Sequence, residues 1–212
     1  MNKIDEIING MTTSDLPSDY WITSNIEFPE LENSRSIIQQ NGQSVWEHTM
    51  LVIDLIEPKT PVTLLSGLFH DLGKCKVFMI DDNSKSRFPG HAEESTNIAK
   101  VKLAEWKTSA NLTDKIMRLV RTHMYDVSID MKEKTIRKFV AEVGPVNIKD
   151  WFALRIADSQ SYTRYQRHYN HFIKPFRKAV TSYLKQQPNS DQPEYDCQDS
   201  TGSIHIEGGI NS

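Results

Sequence analysis

Leu68-Phe69-His70-Asp71-Leu72-Gly73-Lys74 places an imidazole and a carboxylate side by side at the end of an apolar run. Upstream, Val62, Leu64, Leu65, Leu68 and Phe69 read as a buried helix, opened by Thr60 as cap and Pro61 at its first position. Gly73 is expected to supply the left-handed turn that ends it. His70 and Asp71 then sit where the backbone leaves helical geometry, so neighbouring side chains can aim at one point. The negative end of the helix dipole favours a cation at that point. The pair reads as two ligands for one divalent metal, and the alternative is a capping histidine beside a solvated aspartate.

Working outward, the neighbouring segments also read as helices. Ser44-Val45-Trp46-Glu47 is a capping-box pattern that opens a helix running to about Ile56, ahead of Pro58. Residues 75–90 read as a loop, with Asp81-Asp82-Asn83-Ser84 as turn signals. Helices follow at about His91–Trp106 and Thr113–Met124. A third starts after Asp130, with Glu133 three residues on, and ends at Gly144-Pro145. The last long helix starts near Asn147 and continues past Asp158. No strand alternation is sustained, so the fold class is all-α.

Residues 1–20 are polar and rich in Ser and Thr, with an amphipathic patch at Ile4, Ile7 and Ile8, and read as an N-terminal extension. Short elements punctuated by Pro29 and Gly42 fill Trp21 to Gln43. The helical domain covers residues 21–185. From 186 to 212 Pro, Ser, Asp, Asn and Gly dominate, which predicts a flexible acidic tail.

Composition narrows the classes. A net charge of −3 rules out a surface that attracts nucleic acid as a whole, so any anion-binding face is local. The first residues carry Asp5 and Glu6 without an apolar core, and no apolar run approaches the roughly 20 residues of a membrane helix. Cys75 and Cys197 form neither a metal-ligand spacing nor a disulfide framework, and Cys75 reads as a small core residue. A cytoplasmic protein without membrane contact is expected, and oligomeric state is not legible.

Several polar residues lie on apolar stripes. At 100° per residue, His48 falls with Val45, Val52, Leu55 and Ile56, opposite Glu47 and Asp54. His123 extends the stripe Ile116, Leu119, Val120, and Asp158 extends Trp151, Leu154. Burying an unpaired carboxylate costs several kcal/mol, so Asp158 needs an internal partner. Taken singly, each has a plain explanation: a hydrogen-bonded core histidine, or an aspartate paired with Arg155. Taken together with His70-Asp71 and with His91 at a helix start, they are satisfied by one or two buried divalent ions. Imidazole plus carboxylate suits Mn, Fe, Co, Ni or Zn better than Ca, with Mg also admissible. Ligands scattered from residue 48 to residue 158 exclude a local zinc-finger module, so metal binding and folding should be linked.

The order His48, His70-Asp71, Asp158 on successive helices resembles the HD superfamily of metal-dependent phosphohydrolases. Six blocks resemble, in order, the HD domain of bacterial CCA-adding enzymes (tRNA nucleotidyltransferases) over about residues 25–165. They are Phe28-Pro29-Glu30-Leu31; Val45-Trp46-Glu47-His48-Thr49; Phe69 to Lys74; Phe88-Pro89-Gly90-His91; Arg118-Leu119-Val120-Arg121-Thr122-His123; and Ile136-Arg137-Lys138-Phe139 running through Val143-Gly144-Pro145 to Leu154-Arg155-Ile156-Ala157-Asp158. No Gly-Gly followed by a paired-Asp motif precedes them, so this chain is expected not to add nucleotides. The resemblance implies an HD-domain helical bundle with phosphatase, 2'-nucleotidase or 2',3'-cyclic phosphodiesterase activity. It also implies that His48, His70, Asp71 and Asp158 hold one metal, and that His91 and His123 hold a second, bridged by Asp71. Gln43-Ser44 depart from relatives that often have another His or an Arg there, which puts the substrate side of the pocket in doubt.

The expected chemistry is hydrolysis of a phosphate ester by metal-activated water, with nucleotides or RNA ends, tRNA among them, as substrate. Asp71 and Lys74 are the catalytic candidates. Lys74 is placed to neutralise phosphate charge, the alternative being a solvated lysine. Arg121 and Arg155 are candidate phosphate contacts that could equally be structural ion pairs. After Asp158, Tyr162, Tyr165, Tyr169, Phe172 and Phe176 form an aromatic stripe, and Arg164, Arg167, His168, His171 and Lys174 form the other face. That face either is a solvated surface or tracks a nucleic-acid backbone, which would make Arg164 and Arg167 substrate contacts. Pro175 should kink or end this helix. Two other functions fit: a hydrolase of free nucleotides or dinucleoside polyphosphates, and a catalytically silent tRNA- or RNA-binding module.

Overall fold

The structure is a computed structural model, and it describes residues 3–13, 18–127, 131–161 and 165–187. The fold is an all-α bundle. Its helices are α1 (Lys3–Thr13), α2 (Ser18–Asn25), α3 (Pro29–Asn33), α4 (Val45–Leu55), α5 (Pro61–Phe69), α6 (Lys74–Val77), α7 (His91–Glu105), α8 (Ala110–Thr122), α9 (Glu133–Val143), α10 (Ile148–Gln160), α11 (Tyr165–His168) and α12 (Lys174–Lys185). Between α6 and α7 lies a small antiparallel hairpin, β1 (Met79–Ile80) and β2 (Ser86–Arg87), with Met79 opposite Arg87 and Ile80 opposite Ser86.

The bundle is built around α5. Every residue from Thr63 to Phe69 is buried, and α1, α4, α7, α8 and α10 all pack on this helix. Burial of Leu64, Leu65, Leu68 and Phe69 contributes about 1.5–3 kcal/mol each. The Thr60 side chain accepts from the Thr63 N–H and Thr63 reciprocates, with Pro61 at the first helical position. Ser44 and Glu47 form the same reciprocal cap on α4. A helix buried on all sides carries its C-terminus, His70 and Asp71, into the middle of the protein.

Gly73 does not take the left-handed conformation expected of it; its φ and ψ are −60° and −22°. Its role is close approach. A Cβ there would overlap the His91 carbonyl oxygen and the Ser95 backbone nitrogen. The Gly73 N–H donates to Ser95 Oγ at 2.8 Å. The corner after α5 is thereby pressed against the start of α7.

Other expectations are corrected. The segment read as a loop over 75–90 holds α6 and the hairpin, whose turn is tied by Asp81 Oδ1 accepting from the N–H groups of Asn83 and Lys85. Cys75 is half-buried at the edge of the core, with Sγ 3.4 Å from the Glu30 carbonyl; burial, with Glu30 and Asp71 nearby, pushes its thiol up to about 11. α8 starts at Ala110, because the Ser109 side chain accepts from the Leu112 N–H. The N-cap of α9 is Lys132; Asp130 lies outside the described residues. In α1, Ile4, Ile7 and Met11 belong to the same apolar core as α5. A Cβ on Gly10 would overlap the Trp21 ring, so α1 and α2 touch there.

The stretch after α10 is not one regular helix. Its hydrogen bonding widens to a π turn over Tyr169–Ile173, just ahead of Pro175, which has no N–H to offer the carbonyl four residues back. The inward phase slips by one residue. Ile173 is fully buried and Phe172 is 36% exposed, after which Phe176, Val180 and Leu184 return to the core. Tyr162, Arg164 and nearly all of the expected tail (188–212) lie outside the described residues.

Candidate metal centre

Four helices that pack on α5 each bring one side chain to its C-terminal end. His48 comes from α4, His91 from the first turn of α7, His123 from the C-cap of α8 and Asp158 from α10. With His70 and Asp71 they form a cluster in which every residue is buried.

Asp71 stands at the centre. Its Oδ2 lies 3.2 Å from His48 Nε2 and 3.4 Å from His70 Nε2. Its Oδ1 lies 3.4 Å from His91 Nε2 and 3.5 Å from His123 Nε2. His48 Nε2 is also 3.2 Å from His70 Nε2 and 3.2 Å from Asp158 Oδ1, and His91 Nε2 is 3.3 Å from His123 Nε2. Donors about 2.1 Å from one ion lie roughly 3.0–3.4 Å apart in octahedral or tetrahedral shells, so these spacings suit a ligand set.

Three of the imidazoles are oriented the same way. His70 Nδ1 meets the Gly67 carbonyl at 2.7 Å, His91 Nδ1 meets that of Phe88 at 2.9 Å, and His123 Nδ1 meets that of Val120 at 2.6 Å. A carbonyl only accepts, so each Nδ1 carries a proton, and Nε2 is the atom that each ring turns toward Asp71. A hydrogen bond of this kind, made on the far side of the ring, sets the tautomer of a metal-binding histidine.

The electrostatics show how much positive charge the centre demands. Burial pushes His70 down to about 4, despite the nearby Asp71. Burial also pushes His48 down, but bonds to Asp158 and Asp71 outweigh it and push the ring up to about 9. For Asp71, burial is outweighed by the Lys74 ammonium and the surrounding histidines, which hold the carboxyl well below the usual carboxylate range. For Asp158, burial is outweighed in the same way, chiefly by His48, and the carboxyl is held low. A divalent cation would take the place of the His48 proton. Two groups of donors fit one: His48, His70 and Asp71 on one side, and Asp71, His91 and His123 on the other.

Lys74 is not a solvated lysine. It is buried, donates to Asp71 Oδ2 and to Gln39 Oε1, and lines a cavity of about 510 Å³. The same cavity exposes Asp71, His91, His123 and Asp158, whereas His48 and His70 lie behind its wall. Arg155 reaches it too, with Nη1 donating to Asp158 Oδ2 at 3.0 Å. Arg121 does not reach it; its side chain is 61% exposed, 3.7 Å from Glu93. Arg167 is exposed and outside the lining, and Arg164 lies outside the described residues.

Sequence reasoning missed three parts of the wall. Gln40 donates to the Ser86 carbonyl at 3.0 Å, and Ser86 Oγ donates to the Ile38 carbonyl at 2.9 Å. These bonds hold the hairpin so that Ser86, Arg87 and Phe88 face the cavity. Arg87, fixed to Asp81 at 2.7 Å, directly precedes the Phe88-Pro89-Gly90-His91 block, which was a usable signal. His168, expected on the basic face that follows Asp158, also lines the cavity.

Among known proteins, the chain is similar to the CC-adding tRNA nucleotidyltransferase of Thermus thermophilus, with 26% identity over 148 residues. The match covers 68% of this chain and 33% of that enzyme, so it spans about a third of the relative's length. No family model matches the chain. Among the described residues, no helix is long and apolar enough to cross a membrane.

Proposed function

We propose that this chain is an HD-type metal-dependent phosphohydrolase that cleaves phosphomonoester or (cyclic) phosphodiester bonds of nucleotides or RNA ends. The carrying observation is the two-sided environment of Asp71, whose two oxygens each face two imidazole Nε2 atoms at the floor of a cavity. His48, His70, Asp71 and Asp158 would hold one ion, and Asp71, His91 and His123 a second. Imidazole and carboxylate donors favour Mn, Fe, Co, Ni or Zn. A divalent ion there supplies Lewis-acid activation of water and of the phosphoryl group.

The chain's own residues do the rest. The walls of a cavity of about 510 Å³ suit one nucleotide unit. Lys74 and Arg155 line it as cations and offset the charge that a phosphate brings. The water oxygen bonds to phosphorus, the ester P–O bond breaks, and the leaving oxygen takes up a proton. The tRNA in the relative's name supports an RNA-end substrate. The walled cavity equally supports free nucleotides or dinucleoside polyphosphates, which forms the second reading.

Metal analysis of purified protein is the first test, with one to two transition-metal ions per chain expected. Turnover of 2',3'-cyclic AMP, nucleoside monophosphates, dinucleoside polyphosphates, bis-p-nitrophenyl phosphate and short RNAs is the second. Metal-free protein whose melting does not respond to Mn, Ni or Zn would overturn the proposal. Bound metal with no turnover would leave the silent RNA-binding reading in its place.

A further inference from the structure

Two buried nitrogens on the cavity wall have no hydrogen-bond partner among the described residues: Arg155 Nε and His168 Nδ1. Leaving such a group unsatisfied is costly, and more so when it is charged, so two on one wall call for an acceptor. Both side chains line the same cavity, where burial and the Arg155 charge push the His168 ring down.

The arrangement of Arg155 defines where that acceptor would sit. Its Nη1 is taken by Asp158 Oδ2 at 3.0 Å. The opposite edge of the guanidinium, formed by Nε and Nη2, is the edge that binds phosphate with two parallel hydrogen bonds. One edge of Arg155 therefore holds a member of the metal centre, and the other leaves Nε without a protein partner among the described residues. His168 comes from α11, the next helical segment, and supplies a ring nitrogen that donates from the neutral ring when it carries the N–H. Ser159, also in the lining, adds a small polar side chain at the same end of α10.

We propose that Arg155 and His168 form a subsite for a second phosphate of the substrate, next to the phosphate under attack. For its part in turnover this rests on the phosphohydrolase reading; as a binding site it stands apart from it. The second phosphate has two chemical sources. In an oligonucleotide it is the next backbone phosphate, one nucleoside away; in a nucleoside polyphosphate it shares an oxygen with the first.

His168 is the residue to change, because Arg155 also holds Asp158. Calorimetry of inorganic pyrophosphate on the purified protein needs no turnover. His168→Ala should weaken binding about tenfold, the scale of one hydrogen bond to a charged group. His168→Asn, whose amide nitrogen can stand where Nδ1 stood, should restore most of it. In turnover, the preference for a two-phosphate substrate over bis-p-nitrophenyl phosphate should fall about tenfold in His168→Ala, through KM more than kcat. A fall confined to a 5'-phosphorylated dinucleotide assigns the subsite to an RNA strand, and one confined to a nucleoside diphosphate assigns it to a polyphosphate. Unchanged pyrophosphate affinity in His168→Ala, or an equal loss on all substrates, overturns the subsite. If no phosphate ester turns over at all, the phosphohydrolase reading fails, and the pyrophosphate comparison still decides the subsite.

Discussion

The two sides of Asp71 hold similar ligands in unlike surroundings. Behind Oδ2, His48 and His70 have no exposure, and Asp158 and Lys74, which also line the cavity, complete the set of charges. In front of Oδ1, His91 and His123 form part of the cavity lining and have no second carboxylate within the group. The closed side can satisfy itself with protons and the lysine ammonium, as His48 does when its neighbours push it up to about 9. The open side depends on what enters the cavity. Under the proposed function, a metal-linked fold and an exchangeable catalytic position would be divided between two faces of one carboxylate.

Asp71→Ala removes the residue common to both sides and has the largest expected effect. Activity should fall by more than the roughly 10–100-fold lost when a residue behind the ligands is changed, and metal content should drop on both sides. Full activity, or metal retained at the wild-type level, would break the comparison at its centre.

Stability should separate the sides next. Asp158→Ala leaves the mostly buried Arg155 without its carboxylate and His48 with Asp71 as its carboxylate, and should lower the urea midpoint strongly. His91→Ala should shift the midpoint little but empty the open position. His91→Ala with His123→Ala should then cost scarcely more metal or activity than either alone. Equal destabilisation by Asp158→Ala and His91→Ala would erase the distinction.

Proton release gives a smaller, sharper readout. The metal-free His48 ring stays protonated up to about 9, so metal entering the closed side near neutral pH must displace a proton. Affinity should rise as pH rises toward about 9 and flatten above it, where no proton remains to be lost. Uptake without proton release in weakly buffered solution would mean that metal binds only on the open side.

The smallest effect is expected at Arg167, exposed on α11 and outside the cavity lining. Arg167→Ala should slow turnover of an RNA end a few-fold at low salt and not at high salt, as a lone phosphate contact does. An equal effect on bis-p-nitrophenyl phosphate would show that this residue acts on the cavity through structure.

Much of this protein was legible in sequence because much of it is local. Capping at Ser44 and Thr60, Pro61 at a helix start, and the stripe that turns His48 inward depend on residues a few positions apart. The same periodicity marked His123 and Asp158 as inward-facing polar residues. What it could not supply was their arrangement around two oxygens of one carboxylate, since that depends on four helices packing on α5. Gly73 read as a turn residue because its contact with His91 and Ser95 crosses to another helix. The alternative of a solvated Lys74 stayed open because its partner Gln39 lies 35 residues upstream. His168 read as part of the basic face and not of the site because, on one continuous helix, it falls about 80° around from Asp158. Phe172 read as part of the inward stripe because the π turn ahead of Pro175, which shifts the phase by one residue, leaves no mark on periodicity. Periodicity assigns a face only while the backbone register holds, and where the register or the partner helix changes, tertiary packing decides.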